Sequence, residues 1–224
     1  MTSAERTLFW TADSPYSRIV LWAVCESDNL NLNLVHLNWA ELNDTSWAGK
    51  NLGPELTVPC LSDGQSHITC DSLRILATLQ KSKFHDWFVS ADGALHRFSE
   101  GQLGRIMYAL YDGVEQAKIH PLWLRAIESA CRLIENLNRH DTESSHASTG
   151  QIALHTFLSF CVGLRHELQK EIPPQLRKVL VGLEQTPSFA ALNARLKTHA
   201  HLIRCDAFSR SPADGGASST DAAR

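Results

Sequence analysis

Apolar and polar residues follow different patterns in the two parts of this chain. Up to about residue 80, short apolar runs alternate with turn residues. They predict strands at 6–10, 31–37, 57–61 and 66–69, and helices at 15–26 and 71–80. Asp63-Gly64, between the last two strands, is typical of a hairpin. The order is βαβ then ββα, which predicts a mixed four-stranded sheet whose first two strands are parallel and joined by a right-handed crossover.

Beyond residue 93 only helical periodicity appears. It predicts helices at 94–116, 122–138, 151–169, 174–184 and 188–196. Ser148 with Gln151 has the spacing of a capping box. The predicted organisation is an α/β domain (1–80), a connection (81–92), an all-helical domain (93–208) and a disordered tail rich in Ser, Ala, Gly and Asp (209–224).

Composition narrows the classes of function. The 224 residues are 43% hydrophobic and 20% charged, as in one large or two small globular domains. A net charge of -3 gives no reason to expect nucleic acid or a membrane as partner. The chain has no apolar run of the roughly 20 residues that span a bilayer, and its first residues lack the apolar core of a signal peptide. We therefore expect a cytoplasmic protein.

The cysteines and histidines favour structural roles at this stage. The six cysteines form no Cys-x-x-Cys pair, which predicts reduced thiols and not a disulfide framework. Cys60 and Cys70 are expected to be core residues and not redox centres. His199 and His201 are expected to be solvated or packed, so no metal site is predicted.

The most informative motif is Ser14-Pro15-Tyr16-Ser17, between the first strand and the first helix. Ser14 suits the N-cap and Pro15 the first helical position. A helix N-terminus stabilises a thiolate or another anion, and a Cys-x-x-Cys pair at such a place is a redox site. Here both cysteine positions carry serine, so any reactive thiol has to come from a ligand. An N-cap without a catalytic role is the alternative.

Two further motifs have the chemistry to bind a short peptide. Pro59 cannot donate to a strand ladder, so we expect a turn, with a cis Val58-Pro59 bond, that leaves the Val58 backbone able to pair with an extended ligand. Asp71-Ser72 begins a predicted helix, where a hydroxyl and backbone N–H groups suit a carboxylate and the Asp71 side chain suits an ammonium group.

Together the three motifs resemble those of the cytosolic glutathione transferase (glutathione S-transferase) superfamily. Ser14-Pro15-Tyr16-Ser17 resembles its active-site motif, as the serine counterpart of a glutaredoxin-type Cys-Pro-Tyr-Cys. Val58-Pro59 resembles its cis-proline motif, and Asp71-Ser72 its motif of an acidic residue followed by serine. The resemblance covers about residues 5–205. It implies a thioredoxin-like N-terminal α/β domain with a mixed four-stranded sheet, followed by an all-α C-terminal domain.

The resemblance also implies the ligand and the roles of these residues. Glutathione would be a co-substrate, with no metal. Ser14 would donate a hydrogen bond to its sulfur and favour the reactive thiolate. Val58 and Pro59 would bind its cysteinyl backbone, and Asp71 and Ser72 its γ-glutamyl end. A homodimer is expected on the same ground.

The implied activity is attack of glutathione on a small electrophile between the two domains. Isomerase or dehalogenase-type variants stay open, whereas reduction through an enzyme–glutathione disulfide would need cysteine at position 14. The candidate walls of the second-substrate pocket are Tyr16, Leu103, Arg105, Met107, Tyr108 and Tyr111. Core packing alone would also produce the spacing of Leu103 and Met107. Arg105 suits an anionic acceptor, but a solvated side chain is the favoured interpretation. The alternative function is a non-catalytic binding or regulatory protein of the same fold.

Three positions depart from the family's pattern. Gln151 stands where the second domain usually has Asp, which implies that a buried charge is absent at that helix start. Gly53-Pro54 replaces the usual Asn-Pro, and Asp71 is shorter than the Glu often found there. The shorter side chain implies a looser contact to the glutamyl group.

Overall fold

The structure, a computed structural model, describes residues 6–27, 32–44, 57–64, 67–80, 84–140, 147–199 and 206–209. Its strands are β1 (Arg6–Trp10), β2 (Leu32–His36), β3 (Cys60–Ser62) and β4 (Ile68–Cys70). Its α-helices are α1 (Pro15–Cys25), α2 (Trp39–Asn43), α3 (Ser72–Gln80), α4 (Phe84–Val89), α5 (Ala91–Phe98), α6 (Gly104–Tyr111), α7 (Gln116–His140), α8 (Thr149–Leu164), α9 (Pro174–Glu184) and α10 (Pro187–Lys197). Within these ranges, no helix is both long and apolar enough to cross a bilayer.

The four strands form one mixed sheet in the order β2-β1-β3-β4. β1 and β2 are parallel, with Arg6 opposite Leu32, while β3 pairs antiparallel with both β1 and β4. This is the predicted sheet. A parallel β1–β2 pair needs a crossover, and α1 provides it.

β3 and β4 are shorter than their predicted runs and shifted towards the C-terminus. β3 begins at Cys60 because Val58 and Pro59 lie in a bend before it. In that bend the missing N–H of proline costs the sheet no hydrogen bond. The hairpin loop contains Gly64 at φ 77°, a conformation that glycine adopts without steric cost. Ser66, the first residue of the predicted fourth strand, lies outside the described residues.

Helix α1 is buried on every side. Ile19, Leu21 and Trp22 are fully buried, because the sheet covers one face and the helical domain covers the other. Each such side chain stabilises the fold by about 1.5–3 kcal/mol. The Trp22 indole N–H donates to Ser188 Oγ of α10 at 3.1 Å, so a polar contact also joins the two domains at this helix.

The helical domain follows the predicted pattern with corrections at its boundaries. The single helix predicted at 94–116 is instead three consecutive segments that begin at Ala91 and end at Tyr111: α5, a π-helical turn (Ser99–Leu103) and α6. The predicted start of the next helix at residue 122 is wrong, since α7 begins at Gln116 and continues through Pro121. Ile119 is buried there, and its burial offsets the backbone hydrogen bond that proline cannot make.

Later boundaries also differ slightly. α8 begins at Thr149 and ends at Leu164, before the predicted 169, and a 3-10 turn (His166–Glu171) follows it. α9 has the predicted bounds, and α10 extends one residue beyond the prediction at each end.

The start of α8 has two caps. Ser148 Oγ accepts from the N–H of Gln151 at 3.2 Å, and the Gln151 side chain accepts from the N–H of Ser148 at 2.9 Å, which confirms the capping box. Asp92 of α5 adds a carboxylate, which accepts from the N–H of Gly150 at 2.7 Å. Asp92 of α5 therefore places a negative charge at this helix start, where Gln151 has none. A Cβ at position 150 would lie 2.6 Å from Asp92 Oδ1, so glycine is needed for this approach.

Some predicted features lie on or beyond the edges of the described residues. The predicted connection at 81–92 contains α4 and the first residues of α5, while 81–83 lie outside the described part of the chain. Gly53-Pro54 and all of the predicted tail except Ser209 also lie outside it.

Candidate functional site

The three motifs lie at one edge of the sheet. β1 runs towards this edge and leads to Ser14 at the start of α1. Phe9 of β1 is paired with Cys60, the residue after Pro59, and Cys60 is paired with Cys70, the residue before Asp71. Because β3 runs opposite to β1 and β4, the entry of β3 and the exits of β1 and β4 share this edge.

Ser14 caps helix α1 with its side chain. Its φ and ψ of -98° and 121° are extended, and its Oγ accepts from the N–H of Ser17 at 3.2 Å. Pro15 occupies the first helical turn, as predicted. The cap uses an Oγ lone pair, and no acceptor for the hydroxyl proton is found among the described residues. Ser14 is 8% exposed, so this residue is almost buried.

The bend before β3 presents backbone groups. The Val58-Pro59 peptide bond is cis, as predicted. Within the described part of the chain, neither the N–H nor the C=O of Val58 makes a hydrogen bond. The Val58 side chain packs against the small apolar cluster of Leu37, Cys60 and Cys70 on one face of the sheet. The Val58 backbone can therefore pair with an extended ligand while its side chain stays anchored.

Asp71 and Ser72 begin α3 with an unusual backbone. Asp71 has φ 84°, a left-handed conformation that Asp tolerates better than most residues. Its carboxylate is exposed and accepts from the N–H of Arg74 at 3.1 Å, which caps the helix. A non-glycine residue held at positive φ is often found at ligand sites, where surrounding contacts maintain the strain.

Ser72 already has a partner from the helical domain. Its hydroxyl, in a side chain only 4% exposed, donates to Glu100 Oε1 at 2.8 Å. Glu100 lies in the π-helical turn after α5, and the same oxygen is 3.3 Å from Nε2 of the buried His96. Sequence reasoning missed Glu100, because its place beside Ser72 depends on how the two domains pack. π-helical turns recur at functional sites, but no sequence pattern marks this one.

Tyr16 brings the first motif against the helical domain. Its phenol is half-buried beside Tyr108 of α6, and its ring meets Phe157 edge-on at 5.5 Å. Burial raises the pKa of Tyr16, and the neighbouring Tyr108 and the carboxylates of Glu100 and Asp71 raise it further. Tyr16 is therefore a neutral hydrogen-bonding group at physiological pH.

The other predicted pocket residues are divided by the structure. Leu103 and Met107 are buried in the helical core, 0% and 3% exposed, because this side of the helix faces α8. Arg105 and Tyr111 are exposed on the opposite side of α6. Of the predicted walls, Tyr16 and Tyr108 lie side by side where the two domains meet.

Two other pairs of candidate residues contact each other or lie outside the described part of the chain. His199 stacks on His36 with ring centroids 3.8 Å apart, while His201 lies outside the described residues. Cys60 and Cys70 are buried, and their sulfur atoms are 2.7 Å apart across β3 and β4.

Comparison with known proteins identifies the architecture. No protein-family model matches the chain, and no curated protein matches its sequence. Solved structures do match it. The glutathione transferase URE2P8 from Phanerochaete chrysosporium, solved with oxidized glutathione, is 16% identical at a TM-score of 0.60, over 87% of this chain and 96% of that one. A glutathione S-transferase from Methylobacillus flagellatus, with glutathione bound, is 16% identical at 0.60, over 84% and 98%.

A plant protein has the same architecture. Glutathione transferase F7 from Populus trichocarpa is 12% identical at a TM-score of 0.59, over 85% of this chain and 98% of that one. In all three cases both the sheet domain and the helical domain are covered. Identities this low establish shape and not chemistry. The chain therefore has the two-domain fold of the glutathione transferases, a thioredoxin-like domain followed by an all-helical one.

Proposed function

We propose that this protein binds glutathione, stabilises its thiolate through Ser14 and directs it at a small electrophile held between the two domains. The observation that carries the proposal is the meeting of Ser14, Val58-Pro59 and Asp71-Ser72 at one edge of the sheet. Residues far apart in the chain there offer a hydroxyl, an extended backbone and a helix N-terminus. A tripeptide with a central thiol needs these three kinds of group.

The role of Ser14 follows from its place at a helix start. A free thiol has a pKa near 8.5, so little thiolate exists at neutral pH. The positive end of α1 and the Ser14 hydroxyl proton would both favour the charged sulfur. Ser14 itself would not be a nucleophile, because its only side-chain contact among the described residues is to a backbone N–H and no base activates it.

The cysteinyl backbone and the γ-glutamyl end of the ligand would be held by the two remaining segments. The Val58 backbone would pair with the cysteinyl unit, with Pro59 shaping the bend. Asp71 would meet the α-ammonium group of the γ-glutamyl unit, and Ser72 with the start of α3 its carboxylate. Glu100 would be a second carboxylate beside the ammonium group, since it already lies at Ser72.

The electrophile would lie beside Tyr16 and Tyr108, where the domains meet. Exposed Arg105 and Tyr111 would border its entry from α6. Conjugation is the reaction we propose, with isomerisation or dehalogenation as variants of the same thiolate chemistry. The glutathione-bound state of two structural neighbours supports the ligand. We also propose a cytoplasmic homodimer, which light scattering and cell fractionation would test.

The test compares Ser14→Ala with Ser17→Ala. Ser17 Oγ accepts from the N–H of Thr11 at 3.3 Å, so Ser17→Ala also removes one hydrogen bond from this loop but leaves the Ser14 hydroxyl. A hydrogen bond to a charged group contributes about 1.5–3 kcal/mol. We therefore expect Ser14→Ala to lower kcat/KM for a generic aryl halide by about ten- to a hundredfold, at about 1.4 kcal/mol per tenfold. Ser17→Ala should change it by less than about threefold.

The pKa of bound glutathione is the second measurement. Followed by thiolate ultraviolet absorbance, it should rise in Ser14→Ala by about 1–2 units, since one unit is about 1.4 kcal/mol. Equal activity in the two variants, or an unchanged thiol pKa, would refute a catalytic role for Ser14. No binding to immobilised glutathione would refute the whole proposal.

A non-catalytic binding or regulatory protein of this fold is the second candidate. It is favoured by the hydrogen bond between Ser72 and Glu100, which occupies a group that the ligand would use, and by the low exposure of Ser14. Titration with glutathione separates the two functions. Binding heat without thiolate absorbance would indicate a binding protein, whereas thiolate formation at neutral pH would indicate an enzyme.

A further inference from the structure

The side chains of Cys60 and Cys70 face each other across the β3–β4 hairpin. The two residues are directly opposite in the antiparallel register, and their sulfur atoms are 2.7 Å apart. Both lie in the apolar cluster with Leu37, and Cys60 is 0% and Cys70 9% exposed. The Cys60 thiol also lies 2.5 Å from the carbonyl oxygen of Thr57. Two thiols this close are more than space-filling core residues.

We propose that Cys60 and Cys70 form a redox pair that closes to a disulfide by exchange with a small-molecule disulfide. Directly opposed residues of an antiparallel pair have Cβ atoms about 4.5–5.5 Å apart, and a disulfide needs about 3.5–4.5 Å. The side chains already point at each other, so a small approach of two strands forms the bond. The edge position of β4 makes this approach easier than in a central pair of strands.

The exchange takes place in two balanced steps. Cys70, the more exposed thiol, loses its proton and attacks one sulfur of the incoming disulfide. A mixed disulfide forms on Cys70, and the released thiolate takes up a proton. Cys60 then loses its proton and attacks the Cys70 sulfur, and the second thiolate leaves and is protonated. Two protein thiols are oxidised, and one disulfide is reduced to two thiols. The oxidant is a small-molecule disulfide, and oxidised glutathione is one example.

The bond would lie directly beneath the candidate site. Cys60 follows Pro59, and Cys70 precedes Asp71, so a disulfide would tie together two of the segments to which we assign glutathione contacts. The redox pair itself does not depend on that assignment. Its geometry comes from strand register and from the shared apolar cluster alone.

The experiment uses the full chain, reduced, desalted and then treated with oxidised glutathione. A parallel sample receives bis(2-hydroxyethyl) disulfide, which has neither a glutamyl nor a glycyl end. Remaining thiols are alkylated, and trypsin releases residues 51–74, which contain both cysteines between Lys50 and Arg74. Cleavage before Asp63 and Asp71 then separates 51–62 from 63–70 unless a disulfide joins them.

In both samples we expect residues 51–62 and 63–70 to remain linked, to lose two hydrogens and to carry no alkylation until a reductant is added. Cys131→Ser is the matched control and should give the same linkage, because Cys131 is a half-buried thiol of α7, away from the sheet. Cys60→Ser should stop at a mixed disulfide on Cys70.

Two outcomes would overturn the proposal. One is full alkylation of both cysteines in native wild-type protein after either treatment, with linkage only after unfolding. The other is a persistent mixed disulfide on Cys70 in the wild type, which would make Cys70 a modification site without a partner. Linkage by the hydroxyethyl compound in a protein that does not bind glutathione would support the redox pair and refute only the proposed function.

Discussion

Replacing Asp92 should lower the free energy of unfolding, because the Asp92 carboxylate caps the start of α8. Its carboxylate accepts from the N–H of Gly150 at 2.7 Å with one oxygen and from the Trp87 indole N–H at 2.7 Å with the other. Gly150 N–H is one of the helix-start donors that have no partner within the helix. Asp92→Ala removes both acceptors at once, and Asp92→Asn keeps one acceptor without the charge.

The size of the effect follows from these two contacts. A hydrogen bond to a charged group contributes about 1.5–3 kcal/mol. Trp87 and Asp92 are half-buried, so water can replace part of what is lost at the indole. The carboxylate also interacts with the dipole of α8, worth about 0.3–1 kcal/mol. We expect Asp92→Ala to lower the free energy of unfolding by about 2–3 kcal/mol, and Asp92→Asn by about 1 kcal/mol.

The assay is urea unfolding followed by far-ultraviolet circular dichroism, with thermal unfolding beside it. A loss of about 2–3 kcal/mol corresponds to a fall in Tm of about 4–12 °C in a chain of this size. Asp112→Ala is the control, because Asp112 is exposed after the end of α6 and its side chain has no hydrogen bond among the described residues. If Asp92→Ala unfolds at the same urea concentration as Asp112→Ala, the Asp92 carboxylate does not stabilise the start of α8.

Two further predictions concern pH. Burial would raise the pKa of Glu184, but the hydrogen bond and charge of His155, 3.0 Å away, and two backbone N–H groups hold it below its ordinary value. The contribution of ionised Glu184 to stability is therefore complete above about pH 4.3 and is lost as the pH falls below that value. Glu184→Gln should lower Tm at pH 7 and lower it by less at pH 3. An equal difference in Tm at the two pH values would contradict this. Burial, then the neighbouring His199, lowers the pKa of His36, so stability from neutral His36 is complete above about pH 6.5 and lost below it. His36→Phe should reduce the fall in Tm between pH 7.5 and 5.5. The same fall in Tm as in the wild type would show that His36 does not cause it.

Local features could be predicted from the sequence because short-range contacts decide them. Ser14 caps α1 through an atom of Ser17, and Ser148 and Gln151 cap α8 through each other. Such bonds join residues three apart, so residue type and spacing are enough. The alternation of short strands with α1 predicted the mixed sheet for a similar reason, since topological rules leave few arrangements for a βαβ unit followed by a hairpin.

Other boundaries depended on burial. The sequence pattern predicted a helix start at residue 122, after Pro121. α7 begins earlier because Ile119 is buried against the rest of the domain. Leu103 and Met107 had a spacing compatible with both a ligand wall and a core, and only the packing of α6 against α8 assigned them to the core. Periodicity identifies a face of a helix, and the neighbouring elements decide what covers it.

The sequence by itself determined the order of elements, the caps of α1 and α8 and the three motifs with their resemblance to glutathione transferases. Only the tertiary structure decided which side chains meet those motifs. Glu100 reaches Ser72 across 28 residues, and Asp92 reaches Gly150 across 58. Cys60 and Cys70 face each other because of strand register, which a change of one residue would reverse. Contacts of this kind depend on how elements pack, and no local pattern encodes them.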